Sequence, residues 1–231
     1  MEKRISFART LPEDSRPPRL LSGLTPEQSQ LVLQSADRQT FAPNHTIVSG
    51  GSPATSLFQL TSGAAKFFRV TKNGEEVLLW WLSAGDTFGL AALLAPPLHY
   101  IGTAEAISDC ELLVWGRDKI RPLACDYEVL AENALSIILY YLAAFADRLV
   151  GLTTETAEQR LARTLLQLSH RTGHVRSSGI ELAIKNEDLS GLANVSLFTA
   201  SRHLKNWERQ GILEKTRGKI NIVSPEGLLI D

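Results

Sequence analysis

The most informative stretch of this sequence is residues 186–208, NEDLSGLANVSLFTASRHLKNWE, which predicts two short helices separated by one sharp turn. Asn186 is a good N-cap, and the two acidic residues after it suit the positive end of a helix dipole. Asn194 tolerates the left-handed backbone conformation that ends a helix. Ser196 is placed to cap the next helix. The stretch therefore predicts a helix-turn-helix.

The second helix of this pair has one apolar side and one polar side. Ala200, Leu204 and Trp207 recur at helical spacing and line the apolar side. On the rest of the surface, Arg202 can donate two hydrogen bonds to a guanine, and Lys205 can neutralise a phosphate. These residue types in this pattern predict a helix that reads double-stranded DNA.

Two short β-type runs follow, residues 211–216 and 219–223, on either side of Arg217-Gly218. This arrangement predicts a hairpin, and a hairpin after a helix-turn-helix makes a winged helix. The alternative is an ordinary helical pair followed by a ribbon. The residues expected to contact DNA are Ser196, Leu197, Phe198, Thr199, Ser201, Arg202, Lys205, Arg217 and Lys219.

The charge of the chain is distributed unevenly. Residues 1–153 carry 13 Lys and Arg against 16 Asp and Glu, a net charge of −3, whereas residues 154–223 carry 11 against 7, a net charge of +4. A basic terminal module on a mildly acidic body suits a protein that brings only one end to phosphate.

Length and composition indicate a globular protein with two modest domains. The chain has 231 residues, of which 44% are hydrophobic and 21% are charged. No apolar run approaches the roughly 18 residues of a membrane span, and the N-terminus lacks a secretory signal. We therefore expect a cytoplasmic protein without a membrane partner. Residues 1–20 are expected to be flexible, because their composition can bury little.

The middle of the chain, residues 40–115, contains short β-type runs separated by glycines. Such spacing predicts a small barrel or roll. Asn73-Gly74 indicates a tight turn between two of the strands. The clearest strands are predicted at residues 56–60, 65–70, 77–82 and 111–115.

A long helix is predicted from about Tyr127 to Thr153, with a second from Ala157 to Arg171 after a hinge at Thr153-Thr154. Apolar residues in the long helix recur at alternating spacings of 3 and 4, which favours packing against a second copy of the same helix. The alternative is that this stripe packs against the β-roll of its own chain. The residues of the predicted dimer seam are Leu135, Ile138, Leu142, Phe145, Leu149 and Leu152.

Short motifs lie at residues 50–54, 60–63, 73–76, 85–89 and 195–207. These motifs, together with the order of the parts described above, resemble the CRP/FNR family of bacterial transcription regulators. The resemblance implies an α+β fold with a cyclic-nucleotide-binding-like β jelly roll, a dimerisation helix and a C-terminal winged helix-turn-helix. It also implies a homodimer that binds a palindromic promoter site and contacts RNA polymerase.

The domain boundaries expected from this arrangement follow the composition of the chain. A flexible segment is followed by a sensor domain, a dimerisation helix and a DNA-binding domain. The expected ranges are residues 1–20, 21–125, 126–153 and 154–231.

The sequence departs from cyclic-nucleotide-binding members of the family where the ligand pocket is expected. Those members hold the ribose with a Glu and the phosphate with an Arg followed by Ser or Thr, and the matching positions here are Leu90, Tyr100 and Ile101. Because none of these side chains supplies the carboxylate or the cation, cyclic AMP and cyclic GMP are not expected to bind in the usual mode. The pocket is expected at Phe88, Gly89, Leu90, Ala91, Tyr100 and Ile101.

Other sensing chemistries remain open. Haem is one alternative, with His99, Tyr100 or Cys110 as axial ligands. Thiol redox chemistry is another, although Cys110 and Cys125 are more simply read as small hydrophobes. The N-terminal cysteine cluster of iron–sulfur members of the family is missing. His170 and His174 flank Gly173, which favours a solvated helix end over a metal site.

The recognition helix departs from the family as well, because Leu197-Phe198 stand where many members have Arg-Glu. Phe198 can contact a thymine methyl, while Arg202 is expected to read a guanine. His203 is expected to be a partly buried structural histidine. No catalytic constellation is found, so the expected function is DNA binding and not catalysis. The alternative is a ligand-sensing module that contacts protein instead of DNA.

Overall fold

The β-rich middle of the sequence folds into a roll. The computed structural model describes residues 19–96 and 98–229, which belong to two compact units divided between residues 141 and 142. In the described part of the first unit, the strands are β1 (Asp37–Phe41), β2 (Thr46–Val48), β3 (Ser56–Ser62), β4 (Ala64–Val70), β5 (Glu76–Ser83), β6 (Thr87–Phe88), β7 (Thr103–Ala106) and β8 (Cys110–Gly116). All four strands predicted from the sequence are confirmed, as β3, β4, β5 and β8.

The strands form two antiparallel sheets, with strand orders β1-β8-β3-β6 and β2-β7-β4-β5. The turn between β4 and β5 contains Gly74 at φ 83°, as Asn73-Gly74 predicts. Neighbouring residues of β3 enter different cores, because side chains alternate across a strand. Phe58 packs in a cluster with Phe88 and Tyr100, whereas Leu57 packs in a second cluster with Trp115.

The helices are α1 (Pro26–Gln34), α2 (Arg117–Asp126), α3 (Glu128–Thr154), α4 (Ala157–Thr172), α5 (Asn186–Ala193) and α6 (Leu197–Arg209). The long helix and the one after it begin and end within one residue of the predicted positions. Sequence reasoning missed α1 and α2. Both pack against the first unit's second cluster, where the indole N–H of Trp115 donates to the carbonyl of Val32 at 2.7 Å.

The predicted flexible segment falls mostly on residues 1–18, which lie outside the described residues. Leu20, at the end of that segment, instead lies in the core. Its side chain is fully buried, and the side-chain amide of Asn133 donates to its carbonyl at 2.9 Å. Burial of this one leucine ties the start of the described chain to α3.

Within the described residues, α3 is the one helix that is long and apolar enough to cross a membrane, judged by length and composition alone. This finding corrects the expectation that no segment resembles a span, because the stretch remains apolar on average even with Asp147 and Arg148 included. Five of the six predicted seam residues are exposed large hydrophobics, and Phe145 is half-buried.

The second unit contains a four-stranded antiparallel sheet beside its helices. Its strands are β9 (His174–Arg176), β10 (Gly179–Leu182), β11 (Leu213–Thr216) and β12 (Lys219–Ile222), in the order β11-β12-β10-β9. Between β11 and β12 the chain reverses at Arg217-Gly218, where Gly218 has φ 77°. The predicted hairpin is therefore confirmed, and the fold class is the α+β class expected from the sequence.

Candidate nucleic-acid interface

The turn between α5 and α6 has the geometry of a helix-turn-helix. Asn194 adopts the left-handed conformation, with φ 52° and ψ 52°, and the N–H of Val195 donates to the carbonyl of Ser190 at 3.0 Å. Ser196 then caps α6, because its hydroxyl accepts from the N–H of Thr199 at 3.0 Å. The predictions for Asn194 and Ser196 are confirmed.

The prediction that Asn186 caps α5 is wrong by one residue. Asn186 is the first residue of the helix, and the N-cap position is taken by Lys185 in an extended conformation, with no side-chain cap bond. The preference of asparagine for caps is a statistical tendency, and here the backbone turns helical one residue earlier than that tendency indicates.

The two sides of α6 differ as the sequence predicts. Ala200, Leu204 and Trp207 are buried, with the ring of Trp207 only 2% exposed. On the opposite side, Arg202 and Lys205 are exposed, and Phe198 is 78% exposed. An aromatic side chain this accessible has no packing role within the described chain, so it is available to a partner. Of the remaining predicted residues, Ser196 and Leu197 are exposed, and Thr199 and Ser201 are half-buried.

The wing presents its two predicted cations differently. Arg217 is exposed at the tip of the β11–β12 hairpin. The ammonium of Lys219 lies 3.1 Å from Oε1 of Glu181 on β10, and the hydrogen bond from Lys219 lowers the pKa of that carboxyl. Glu181 therefore partly neutralises Lys219, whereas the side chain of Arg217 is exposed to solvent. The sequence does not indicate the pairing of Glu181 with Lys219, because the two residues are 38 positions apart.

His203 holds α6 against α4. Its Nδ1 lies 3.4 Å from Oε1 of Glu158, and the side chain is 15% exposed. The imidazole also lies tilted against Trp207, with the ring centroids 6.1 Å apart. These contacts fit the expected structural role for this histidine.

The residues predicted for an effector pocket are not all brought together. Phe88 and Tyr100 lie inside the roll with Phe58, whose ring stacks on Phe88 at a centroid distance of 5.1 Å. Ala91 packs against this cluster. Leu90 instead lies in the second core cluster, and Ile101 is 70% exposed.

Tyr100 is engaged by the roll's own backbone. Its hydroxyl donates to the carbonyl of Ser56 and accepts from the N–H of Ser56, each at 2.8 Å. Gly89 closes the same region at φ 77°, since a Cβ there would lie 2.8 Å from the carbonyl oxygen of Ser56. The phenol of Tyr100 therefore already makes its hydrogen bonds within the roll.

The other candidate sensing residues do not form a site. His99 is exposed while its neighbour Tyr100 is buried, so the two side chains point to different sides. Burial raises the pKa of the Cys110 thiol, which donates to the carbonyl of Ala64 at 3.1 Å. Cys125 is exposed on α2. No cluster of three or more His, Cys, Asp or Glu suited to a metal ion is found within residues 19–96 and 98–229.

An open groove of about 480 Å³ lies beside Tyr100. Sequence reasoning missed it because most of its lining comes from β2 and the segment after β2, which were not assigned to the pocket. The described residues that line it carry hydroxyl and apolar groups and no formal charge. They are Thr46, Ile47, Val48, Ser49, Ser52, Pro53, Thr55, Phe58 and Tyr100.

The exposed polar face of α6, the capped turn before it and the adjacent wing define a winged helix-turn-helix DNA-binding protein that also carries a β-roll. Residues 38–127 match the cyclic nucleotide-binding domain, and residues 159–229 match the Crp-like helix-turn-helix domain. The chain belongs to the CRP/FNR family, and it is a DNA-binding transcription regulator of that type.

Known relatives align along most of the chain. The cyclic AMP receptor protein of Thermus thermophilus is 28% identical over 203 residues, which are 88% of this chain and 91% of the relative. The nitrogen fixation regulation protein FixK of Azorhizobium caulinodans is 25% identical, over 80% of this chain and 74% of the relative. The structure of FixK2 from Bradyrhizobium japonicum has a TM-score of 0.74 at 23% identity, covering 84% and 95% of the two chains, and supports the fold.

Proposed function

We propose that this regulator binds a palindromic promoter site as a homodimer in the cytoplasm and acts on RNA polymerase there. The observation that carries the proposal is the face of α6, on which Phe198, Arg202 and Lys205 are exposed together beyond a buried apolar side. An exposed helix of this kind fits the major groove, where arginine reads guanine and apolar groups contact thymine methyls. The domain boundaries given from the sequence belong to the same proposal, and no catalytic role is assigned.

The exposed stripe of α3 supports the homodimer. Leu135, Leu142 and Leu149 follow one another at seven-residue intervals and are each more than half exposed. A stripe of this spacing is buried by a second helix running alongside it, whereas a membrane span has no need of a periodic seam. The charged residues Asp147 and Arg148 within α3 also argue against a membrane-spanning role for this helix. Two copies would place two recognition helices in successive major grooves, about 34 Å apart.

The signal that controls the protein is proposed not to be a cyclic nucleotide held in the usual mode. The Thermus relative is named for cyclic AMP, and a regulator of the same fold from Xanthomonas campestris is described as responsive to c-di-GMP. In this chain, Leu90 packs away from the roll interior and Tyr100 bonds to Ser56. The proposed pocket therefore offers neither a carboxylate for the ribose nor a cation for the phosphate.

Titration calorimetry with cyclic AMP and with cyclic GMP is expected to give no binding heat at micromolar protein. The physical reason is that a cyclic phosphate would lose its hydration without gaining a charge-assisted hydrogen bond. Micromolar affinity for either nucleotide would contradict this part of the proposal.

An absorption spectrum of the protein purified from cells tests the haem alternative. That alternative requires a Soret band in the wild-type protein and its loss in His99→Ala.

DNA selection from a random pool, followed by binding measurements at several salt concentrations, tests the proposed function as a whole. We expect a palindromic site, and we expect log K to fall with log salt by about 0.9 for each phosphate contacted. A module that contacts only protein would select no sequence and would show no steep dependence on salt. That outcome would favour the alternative of a ligand-sensing interaction module.

A further inference from the structure

Two arginines from different helices hold the carbonyl end of α5. Nη2 of Arg148 on α3 donates to the carbonyl of Gly191 at 2.8 Å. Arg160 on α4 donates from Nε to the carbonyl of Ala193 at 3.2 Å and from Nη2 to that of Asn194 at 3.4 Å. The carbonyl of Gly191 also accepts from the N–H of Asn194 at 3.2 Å. The last carbonyls of a helix carry the negative end of its dipole, so cations stabilise them. We call these two side chains the α5 clamp.

The clamp is anchored on the joint between α3 and α4. Nη1 of Arg160 donates to the carbonyl of Glu155 at 2.7 Å, and the carboxylate of Glu155 pairs with Nη2 of Arg163 at 2.9 Å. Gly151 makes room for this pair, because a Cβ there would clash with the Arg163 guanidinium and the Glu155 carboxylate. A glycine is unfavourable within a helix, so its presence on the buried side of α3 is explained by the pair that lies against it.

The two arginines of the clamp lie on either side of Thr153-Thr154 in the chain, where the sequence predicts a hinge. The hydroxyls of both threonines bond to the carbonyl of Val150, at 2.8 and 3.0 Å, and α3 continues through them. A rotation at this step would separate Arg148 from Gly191. Because the described part of the second unit begins at Leu142, the last turns of α3 belong to the same unit as α5 and α6.

The environment of Arg148 disfavours the charged form of its guanidinium. Burial and the nearby charge of Arg163 both lower the pKa of its guanidinium, which means that each disfavours the charged form. A half-buried arginine is retained in such a place when its donors are satisfied, and the carbonyl of Gly191 accepts one of them. The contact is therefore specific to this arrangement of α3 and α5.

We propose that Arg148 and Arg160 are positioning residues for DNA reading, which hold the turn before the recognition helix on the end of α3. A movement at the end of the dimerisation helix α3 is then transmitted through the two arginines to α5 and on to α6. It is not absorbed by bending between α3 and α4. The inference rests on the proposed function, since it assumes that α6 reads DNA. It assigns to the clamp an effect on sequence discrimination and not on DNA attraction in general.

The test compares Arg148→Met with wild type by hydrogen exchange and by binding to the selected site and to random DNA. We expect faster exchange confined to α5, the turn and residues 148–160, with β11 and β12 unchanged. We also expect the ratio of specific to random affinity to fall about tenfold, because a mobile turn leaves the base contacts unaligned while phosphate contacts survive. Arg148→Lys, which keeps the charge and a donor, should restore most of that ratio.

Gly151→Ala is a second variant, whose effect on DNA binding is not explained by a loss of folding. Alanine favours the helix more than glycine does, yet its methyl group displaces the Glu155–Arg163 pair, so the ratio is expected to fall in the same direction. Arg209→Met is the matched control, since it removes an exposed arginine from α6 without touching the clamp. It should lower both affinities alike and leave the ratio unchanged.

A uniform rise in exchange across the second unit of Arg148→Met would overturn the inference, because it would show only a loss of stability. An unchanged affinity ratio in that variant would overturn it as well, while leaving the proposed function intact. Failure of the wild-type chain to select any site would overturn both, so the two failures are distinguishable.

Discussion

Leu142→Glu is expected to convert the protein to a monomer and to lower its affinity for a palindromic site by about 100-fold or more. The leucine lies in the middle of the predicted seam and is 60% exposed in the single chain. A second helix packed along the seam would bury two glutamates opposite each other, where loss of hydration and the repulsion of like charges disfavour the dimer. Sedimentation analysis gives the oligomeric state, and titration of the selected DNA gives the affinity.

Val150→Glu is the matched control for that experiment. Val150 lies on the same helix and is 48% exposed, but it falls outside the 3-and-4 spacing of the seam. This variant is expected to remain dimeric and to keep its DNA affinity. A Leu142→Glu protein that sediments as a dimer would place the interface elsewhere and would leave the stripe on α3 without the role proposed for it.

Arg202→Ala is expected to cost about 1 to 3 kcal/mol in binding to the selected site and to relax discrimination at one base pair. The reason is that an exposed guanidinium at this position of α6 can make two hydrogen bonds to a guanine, and alanine makes none. Binding to random DNA should change much less. Competition titrations with single-base variants of the site measure both effects, and equal losses on specific and random DNA would refute the assignment.

Two lysines serve as comparisons for Arg202. Lys205→Ala is expected to weaken binding to all sequences, because a lysine near phosphate contributes charge and little base recognition. Lys219→Ala is expected to have a smaller effect of the same kind, since Glu181 lies 3.1 Å from its ammonium and already offsets part of its charge. The order of the two losses therefore checks whether the pairing seen in the structure persists on DNA.

The helix-turn-helix was predictable from sequence because its determinants are local. The left-handed Asn194, the cap at Ser196 and the spacing of Ala200, Leu204 and Trp207 each act within one or two helical turns. By contrast, α2 was missed because it has few apolar residues and contains Pro122, a residue that is unfavourable inside a helix. Its single fully buried side chain, Ile120, packs against residues far away in the sequence.

The parts of the site that sequence could not supply depend on contacts between distant residues. Arg148 and Gly191 are 43 positions apart, and their hydrogen bond has no signature in either segment. The orientation of Leu90 was equally inaccessible, because an alignment of motifs gives a position in the chain without saying which of two cores the side chain enters. Only the packing of the short helical turn at Leu90–Leu93 decides that.

The uncovered apolar stripe on α3 also bears on how much of this regulator is active in a cell. If a second copy covers the stripe, the folded and DNA-competent form accumulates with the square of the free chain concentration, and dilution removes it. The number of chains in the cell then decides whether the regulator is dimeric and active. Below the dissociation constant of the pair, chains lose partner and promoter together, whatever signal the roll detects.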